Sequence, residues 1–476
     1  MIYKRLERGK LRYRKRYLGI NSAIRLRLRR VKRIILKLLR IHSHVAIKAF
    51  ANIGFEDEEL FAGKLDRVNL LIRCCLQEYV KDKYVSPDED KTSAPVKTDI
   101  RISDFEEKLD ECEALFRFQG PDLRRLYNLL QFPLMCRLSN GSTMHGEEVF
   151  LLGLFRYAFP HRLEFDSTRI FGRENTQLCR AFKFFNSHIH DNFKTLLTDN
   201  EAFWVPYMAS CAEAIKNKLA EHNLLFPDGT HFGIFAFIDN TLRKTCRPGG
   251  GPRTDRQRIE NLVQRAFYNG WKKIHALKWQ TVDMPNGMTF HMWPAESGRR
   301  GDLFTLGESG INSRIRDCQP AGVQYAIYGD SIYPVMSHLR RRHQSIGGNT
   351  ARQIEENEAM KKVRVSIEWN YGQTCNLFRY VDWRHNAKVL SGGSNISQCY
   401  LIATLLKNFH VCLYGCQTSD YFNCAPPTLE TYFNSINILK KVHGNQAKVR
   451  NYSNSASSNF FFMNIQKMAA SLWLKL

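Results

Sequence analysis

Three carboxylates carry the most suggestive chemistry in this chain. Asp239 closes an apolar run, Gly233-Ile-Phe-Ala-Phe-Ile-Asp239, and Asp330 closes another, Val323-Gln-Tyr-Ala-Ile-Tyr-Gly-Asp330. Glu368 lies in a stretch of helical spacing that ends at Gly372. Short apolar runs bounded by turn residues read as buried strands. Two acids at adjacent strand ends and a third on a nearby helix form an oxygen cage for hard divalent cations. Two such ions, roughly 3.5–4 Å apart, clamp the attacking and leaving oxygens of a phosphoryl transfer. The plainer reading is strand-end and helix-surface charge: Arg364 sits one helical turn before Glu368 and can pair with it. Glu358 is the next candidate for a third ligand.

The chain has 476 residues and a formal net charge of +24. That length exceeds what one core usually organises, so two or three domains are expected. The charge points to polyanionic partners, nucleic acid or an anionic membrane surface. The first forty residues hold sixteen Lys or Arg against one acid, Glu7, with Ile24, Leu28, Val31, Ile35 and Leu38 at helical spacing. Such a basic amphipathic helix fits a nuclear import signal, a DNA-backbone arm, a lipid-surface helix, an organelle transit segment or a solvated charged helix. The thirteen scattered cysteines are an odd number and suit a reducing compartment better than a disulfide framework. The polybasic start lacks the apolar core of a secretory signal. No run reaches the ~18 apolar residues of a membrane span, so no stable membrane insertion is expected.

The elements that must position the acids follow from periodicity and punctuation. Residues 1–83 read as a basic helical region and 84–99 as a polar linker with two prolines. Within 100–200, Ile100 to Phe132 looks helical through Phe105, Leu109, Leu115 and Leu126. Glu147 to Phe159, Asp166 to Phe171 and a helix starting near Asn175 follow, with Gly172 as a stop. The third buries Leu178, Phe182, Phe185 and Ile189 and offers Arg173, Thr176, Gln177, Arg180 and Lys183 on its other face. A short helix, a tight turn and a polar-basic helix form the pattern of a helix-turn-helix DNA reader. Any small helical subdomain shows similar periodicity.

From residue 231 the pattern becomes strand-like: Phe232 to Asp239, Ile274 to Val282, then Met288 to Trp293 across an Asn286-Gly287 turn. A helix over Asp302 to Asp317, a strand over Val323 to Gly329 and a long helix over Thr350 to Tyr371 complete the series. Met360, Val363, Ile367 and Tyr371 face inward in the last helix, with Gly372 as its C-cap. The expected class is α/β: an RNase H-like mixed sheet over 231–432, preceded by an all-α region and followed by a tail, 433–476. In that fold the first strand, the fourth strand and a later helix keep the metal ligands.

Five ordered motifs between Phe235 and Tyr432 resemble the nuclease domain of Harbinger-type (PIF/Harbinger) transposases and their domesticated derivatives. They are Ile238-Asp239-Asn-Thr with Cys246-Arg-Pro-Gly249; Tyr268-Asn-Gly-Trp-Lys-Lys-Ile-His275-Ala-Leu-Lys-Trp-Gln280; Gly298-Arg-Arg-Gly-Asp302; Tyr328-Gly-Asp330-Ser-Ile-Tyr-Pro334; and Val363-Arg-Val-Ser-Ile-Glu368-Trp-Asn-Tyr-Gly372. The resemblance implies a DDE-type, metal-dependent nuclease or transposase whose catalytic acids are Asp239, Asp330 and Glu368, holding two Mg²⁺ or Mn²⁺ ions. It implies DNA as substrate, a nuclear location (a cytoplasmic one remaining open) and a Myb-like partner protein. The chain has Asp239-Asn240-Thr241 where that family usually has Asp-Gly-Thr, and Gly301-Asp302 where it usually has His-Asp. The lost His is a side chain that would support substrate placement.

Around this core, Asp302 reads as a helix cap or an orienting group. Lys272, Lys273, His275, Arg299 and Arg300 read as DNA-backbone contacts or a solvated face, and Arg340-Arg-Arg-His343 reads the same way. His410, Cys412, Cys416 and Cys424 lack paired zinc spacing and read as structural. Arg247-Pro-Gly-Gly-Gly251 lacks the Lys of a phosphate-binding loop. The rival to the enzyme is a domesticated DNA-binding protein on the same fold that has lost cleavage. A membrane-surface protein would leave the three acids unexplained.

Overall fold

The computed structural model describes residues 100–160, 167–198, 200–221, 232–247, 264–320, 322, 324–382 and 396–436. The chain divides into two units, 1–96 and 97–476. The N-terminal region expected to be a basic helix, the whole of the expected linker over 84–99, residues 248–263 and the tail beyond 436 lie outside the described residues.

A helical layer comes first. A 3₁₀ turn at Ile102–Asp104 leads into α1 (Leu109–Phe116) and α2 (Gly120–Leu130), each ending on a left-handed residue, Arg117 and Gln131. The expected single helical stretch is thus two helices broken at residues 117–119. A small antiparallel pair, β1 (Met135–Arg137) and β2 (Thr143–His145), precedes α3 (Gly146–Ala158), which is buried almost throughout. Next come the one-turn α4 (Thr168–Phe171), left-handed Gly172 and α5 (Asn175–Phe193). Asn175 is the first helical residue, and Glu174 takes the cap position. Leu178, Phe182, Phe185 and Ile189 are buried as their spacing requires. Gly153 of α3 lets the two helices close: a Cβ there would come 2.2 Å from the Phe185 ring. Three helices then lead to the sheet: α6 (Thr195–Thr198), α7 (Glu201–Trp204) and α8 (Met208–Glu221).

The sheet is of mixed direction and centres on β3 (Phe232–Lys244). Two strands follow, the two-residue β4 (Tyr268–Asn269) and β5 (Ile274–Asp283), and β5 runs antiparallel to β3. The other edge of β5 is shared. Its first residues pair with β4, and the rest with β6 (Thr289–Ser297). The Asn286-Gly287 turn forms as expected, with Gly287 at φ +81°. Helices α9 (Asp302–Ser309) and α10 (Ile311–Asp317) replace the single helix expected there, because Gly310 adopts φ +58° and breaks the run. The strand β7 (Gln324–Tyr328) lies parallel to β3, and β8 (Leu339–Arg340) parallel to β7.

The long helix expected from 350 to 371 is two helices. Thr350 caps α11 (Ala351–Arg364) through a reciprocal box with Gln353, and α12 (Ser366–Leu377) follows a break at Val365. Gly372 lies inside α12 rather than at its end. Then come α13 (Ile396–Tyr414) and α14 (Gln417–Phe422). An apolar cluster of Ile234, Phe237, Ala326, Met360, Val363, Ile367 and Phe422 joins one face of the sheet to α11, α12 and α14.

Helix α13 is apolar on nearly every side and correspondingly buried. It nevertheless carries Lys407 and Asn408, both fully buried. The Lys407 Nζ donates to the Gly287 carbonyl at 2.9 Å and to Thr289 Oγ1 at 3.0 Å. Thr289 donates to Asp283, and Thr281 Oγ1 donates to the other Asp283 oxygen at 2.8 Å. Asn408 receives the Thr289 amide and donates to its carbonyl. This network ties α13 to the β5–β6 hairpin without leaving either charge unsolvated. We predict that Lys407→Met costs on the order of 3–5 kcal/mol, since Asp283 is left as an uncompensated buried charge. Adding Asp283→Asn should recover part of that loss; urea unfolding of the single and double variants is the check.

Candidate active site

The position of Asp239 is set by one irregularity in β3. The strand is buried on both faces from Ile234 to Ile238, so alternation alone does not say where its side chains point. Pairing with β7 runs Ile234↔Ala326, then shifts, then runs Ala236↔Ile327 and Phe237↔Tyr328. Phe235 is the extra residue of a β-bulge, and it stacks against Trp204 and Phe290. The bulge reverses the alternation. Ile234 and Phe237 therefore join the same apolar cluster although their numbers differ by an odd step. Asp239, two residues beyond Phe237, follows it onto the face covered by α11 and α12. The same shift brings Asp239 level with Asp330, two residues beyond Tyr328. Each aspartate accepts the amide of the next residue through Oδ1, from Asn240 at 2.7 Å and from Ser331 at 2.6 Å.

Glu368 arrives from the other side. The break at Val365 starts α12, and Tyr371, three residues after Glu368, places its hydroxyl 2.9 Å from Thr281 Oγ1. Thr281 is the cross-strand partner of Asp239. Arg364, the last residue of α11, joins the two acids: its guanidinium lies 3.4 Å from Asp239 Oδ2 and 4.0 Å from Glu368 Oε1. The pairing of Arg364 with Glu368 was legible from their spacing; its reach to Asp239 was not. Glu358 faces a different partner, Lys361, at 3.9 Å.

Burial pushes the Asp239 carboxyl up to about 6; the Asn240 amide and Arg364 oppose this, and Asp302 and Asp330 add to it. Those last two effects put three acids within one another's field. Asp302 starts α9 and is already paired, with Lys278 Nζ 2.6 Å away. Lys278 is nearly buried on β5 and also donates to the Arg300 carbonyl. Tyr333 closes the site's floor, its hydroxyl receiving Asn240 Nδ2 at 3.2 Å. Burial, with Asp239 beside it, holds the Tyr333 hydroxyl well above its usual value. Sequence reasoning did not find Lys278, Tyr333 or Tyr371, since nothing in their spacing distinguishes them from core residues.

The basic candidates divide into separate groups. Lys272 and Lys273 are exposed at the β4–β5 tip. His275 and Arg299 line a cleft beside it, and Arg300 lies over the Phe304 ring at 4.2 Å. In the helical layer, Arg173 is held by the buried Glu148 through two hydrogen bonds of 3.0 and 2.9 Å. Thr176 and Lys183 are exposed, and Gln177 and Arg180 partly so. His410, its basicity lowered to about 4 by burial, sits against Phe118 and Tyr414. Cys416 caps α14.

Among the described residues, no three His, Cys, Asp or Glu side chains stand together in metal-holding geometry, and no helix is long and apolar enough to cross a membrane. Comparison with known proteins bears on the same region. Residues 253–408 match the family model described as DDE superfamily endonuclease. That segment is similar to the endonuclease domains of that superfamily. The match spans Asp302, Asp330 and Glu368; Asp239 lies before it. The mixed sheet agrees with a DDE domain. Neither a curated protein nor a solved structure gave a match.

The raised Asp239 carboxyl has a measurable consequence. Its ordinary value is 3.8 and its value in the fold about 6. Between the two, the folded chain holds a proton that the unfolded chain has released. Stability of the metal-free protein therefore falls as pH rises through that window and stays lower above it. The size is about 3 kcal/mol. Asp239→Asn should unfold at higher urea than wild type at neutral pH and at about the same urea only below about pH 3.8. A less stable variant at neutral pH would refute the burial argument.

Proposed function

We propose that this protein is a metal-dependent DNA endonuclease of transposase type, with Asp239, Asp330 and Glu368 as its catalytic acids. One observation carries the reading: the bulge at Phe235 sets Asp239 level with Asp330, and a single guanidinium spans Asp239 and Glu368. The family match supports it independently, as does the strand pattern. With β3, β5, β6, β7 and β8 taken as first to fifth, the first, second and third are antiparallel neighbours, and the fourth and fifth join the first in parallel. This is the arrangement expected of an RNase H-like domain.

The donor set fits hard cations. Carboxylate oxygens are their preferred ligands, and Asp239 and Asp330 offer them at one level. Glu368 is 60% exposed on its helix and free to turn inward once Arg364 withdraws. Divalent ions held by Asp239, Asp330 and Glu368 would supply an activated water or 3′-hydroxyl and charge stabilisation at the leaving oxygen. The protein's own part is distinct. Asp239 must be ionised, so neutral pH and positive charge nearby favour the working state. Arg364 opposes the repulsion among the acids while the site waits, and Lys278 pairs with Asp302, which still adds to it. The exposed basic groups on β4–β5 and after β6 provide a phosphate-binding approach. Residues 167–193 fit a helix-turn-helix reader of DNA, and the basic first forty residues fit nuclear import. A Myb-like partner remains a proposal by resemblance alone.

The second reading is a DNA-binding protein that has lost cleavage. It is favoured by Arg364 on Asp239 and Lys278 on Asp302, which leave two acids paired with protein cations, and by Gly301 before Asp302. Nicking of supercoiled plasmid in Mg²⁺ or Mn²⁺ separates the two. The enzyme predicts nicking that falls on the order of a hundredfold or more in Asp239→Asn, Asp330→Asn and Glu368→Gln. Arg364→Gln should tighten Mn²⁺ binding in calorimetry by removing a competing cation. DNA binding with no nicking that depends on these acids would establish the silent protein instead.

A further inference from the structure

The hairpin formed by β4 and β5 has no part in holding the acids, yet it is built firmly. Asn269 accepts the Lys272 amide at 2.8 Å and donates to the Gly298 carbonyl at 2.7 Å, fastening the hairpin to the end of β6. Lys273 turns the chain at φ +55°. At the tip, Trp271 is 88% exposed, between Gly270 and two lysines. A rigid turn that holds an indole out in water has given up its burial for some other contact.

Beside the tip lies a cleft of about 580 Å³ lined by Arg247, Gln264, Arg265, Tyr268, His275 and Arg299. That volume is in the range of small-ligand sites. None of its three arginines, nor Lys272 or Lys273, is in an ion pair with a described residue. The ring of Tyr268 faces that of His275 at 5.3 Å. Burial and the charge of Arg247 lower the basicity of His275, so at neutral pH it offers an uncharged ring.

We propose that this hairpin and cleft bind an unpaired nucleotide of a DNA strand. The arginines take its phosphate, and Trp271 and Tyr268 offer ring faces for its base. Duplex backbone alone would use the cations and leave both aromatics idle, because paired bases hide their faces in the stack. An unpaired strand uses both. His275 lies six residues before Thr281 on β5, which puts the cleft about 20 Å along the strand from the level of Asp239. The site thus suits a DNA end or single-stranded tail running away from the scissile position. The proposal draws on the nuclease reading only in taking the strand to be DNA.

The test is binding by the full chain in EDTA, so that cleavage plays no part. Fluorescence anisotropy compares a blunt duplex with the same duplex carrying a single-stranded tail. Wild type should prefer the tailed duplex by about tenfold. Trp271→Ala and the double variant Arg247→Ala/Arg265→Ala should abolish that preference and keep blunt-duplex binding, and Trp271→Phe should restore most of it. All the changed side chains are exposed; an unchanged thermal midpoint guards against misfolding. A tail preference that survives Trp271→Ala overturns the proposal. So does equal weakening on both duplexes, which marks a mere backbone contact, and so does Trp271-dependent capture of anionic vesicles, which marks a membrane surface. Loss of plasmid nicking with tail preference intact would defeat the nuclease reading and leave this one standing.

Discussion

One extra residue in a central strand decides what the two aspartates can do. Side chains in a strand alternate strictly, so their placement depends on whether the count between two points is odd or even. Without the bulge at Phe235, Asp239 would fall on the opposite face from Phe237's cluster and out of level with Asp330. Phe235 is held by its stack with Trp204 and Phe290. The aromatic packing on one face of the sheet therefore governs where the acids stand on the other.

The second constraint is electrostatic. Acids gathered in a half-buried site repel one another, and the fold must answer that repulsion before any ligand arrives. It does so with Arg364 and Lys278, each supplied by an element that the site needs anyway. Arg364 ends the helix that precedes Glu368, and Lys278 lies on the strand that faces Asp239's neighbours. The Tyr371–Thr281 contact then couples the glutamate's helix to the aspartate's strand pair.

Strands β3, β5, β6 and β7 and their order were legible in the sequence because they depend on local pattern: apolar runs and an Asn-Gly turn. The helix boundaries were less so. The break at Gly310 rests on a positive φ that glycine permits, and at Val365 no residue type announces one. The buried helix α13 is not legible in the sequence, because a helix apolar on nearly all sides shows little periodicity. The reach of Arg364 to Asp239 spans 125 positions and depends on the fold having already formed. The same is true of Lys278: its carboxylate partner is 24 residues away, across a turn and a strand. The cleft beside Trp271 collects residues from three separate segments, and only its lysines, His275 and Arg299 stood out as charged surface.

Strand β5 links everything described. Its last residues face Asp239, its middle carries Lys278, and its first residues form the hairpin with Trp271. It is paired along its length on both sides, so its register is not free to slide. An insertion or deletion of one residue within it would turn every later side chain to the wrong face. Only paired changes keep the faces, and each moves one end by about 6.6 Å relative to the other. The spacing between the acids and the hairpin can therefore evolve only in steps close to one nucleotide of extended strand. On the proposed reading, a lineage of such proteins would change where it acts relative to a DNA end by discrete jumps, never by gradual drift.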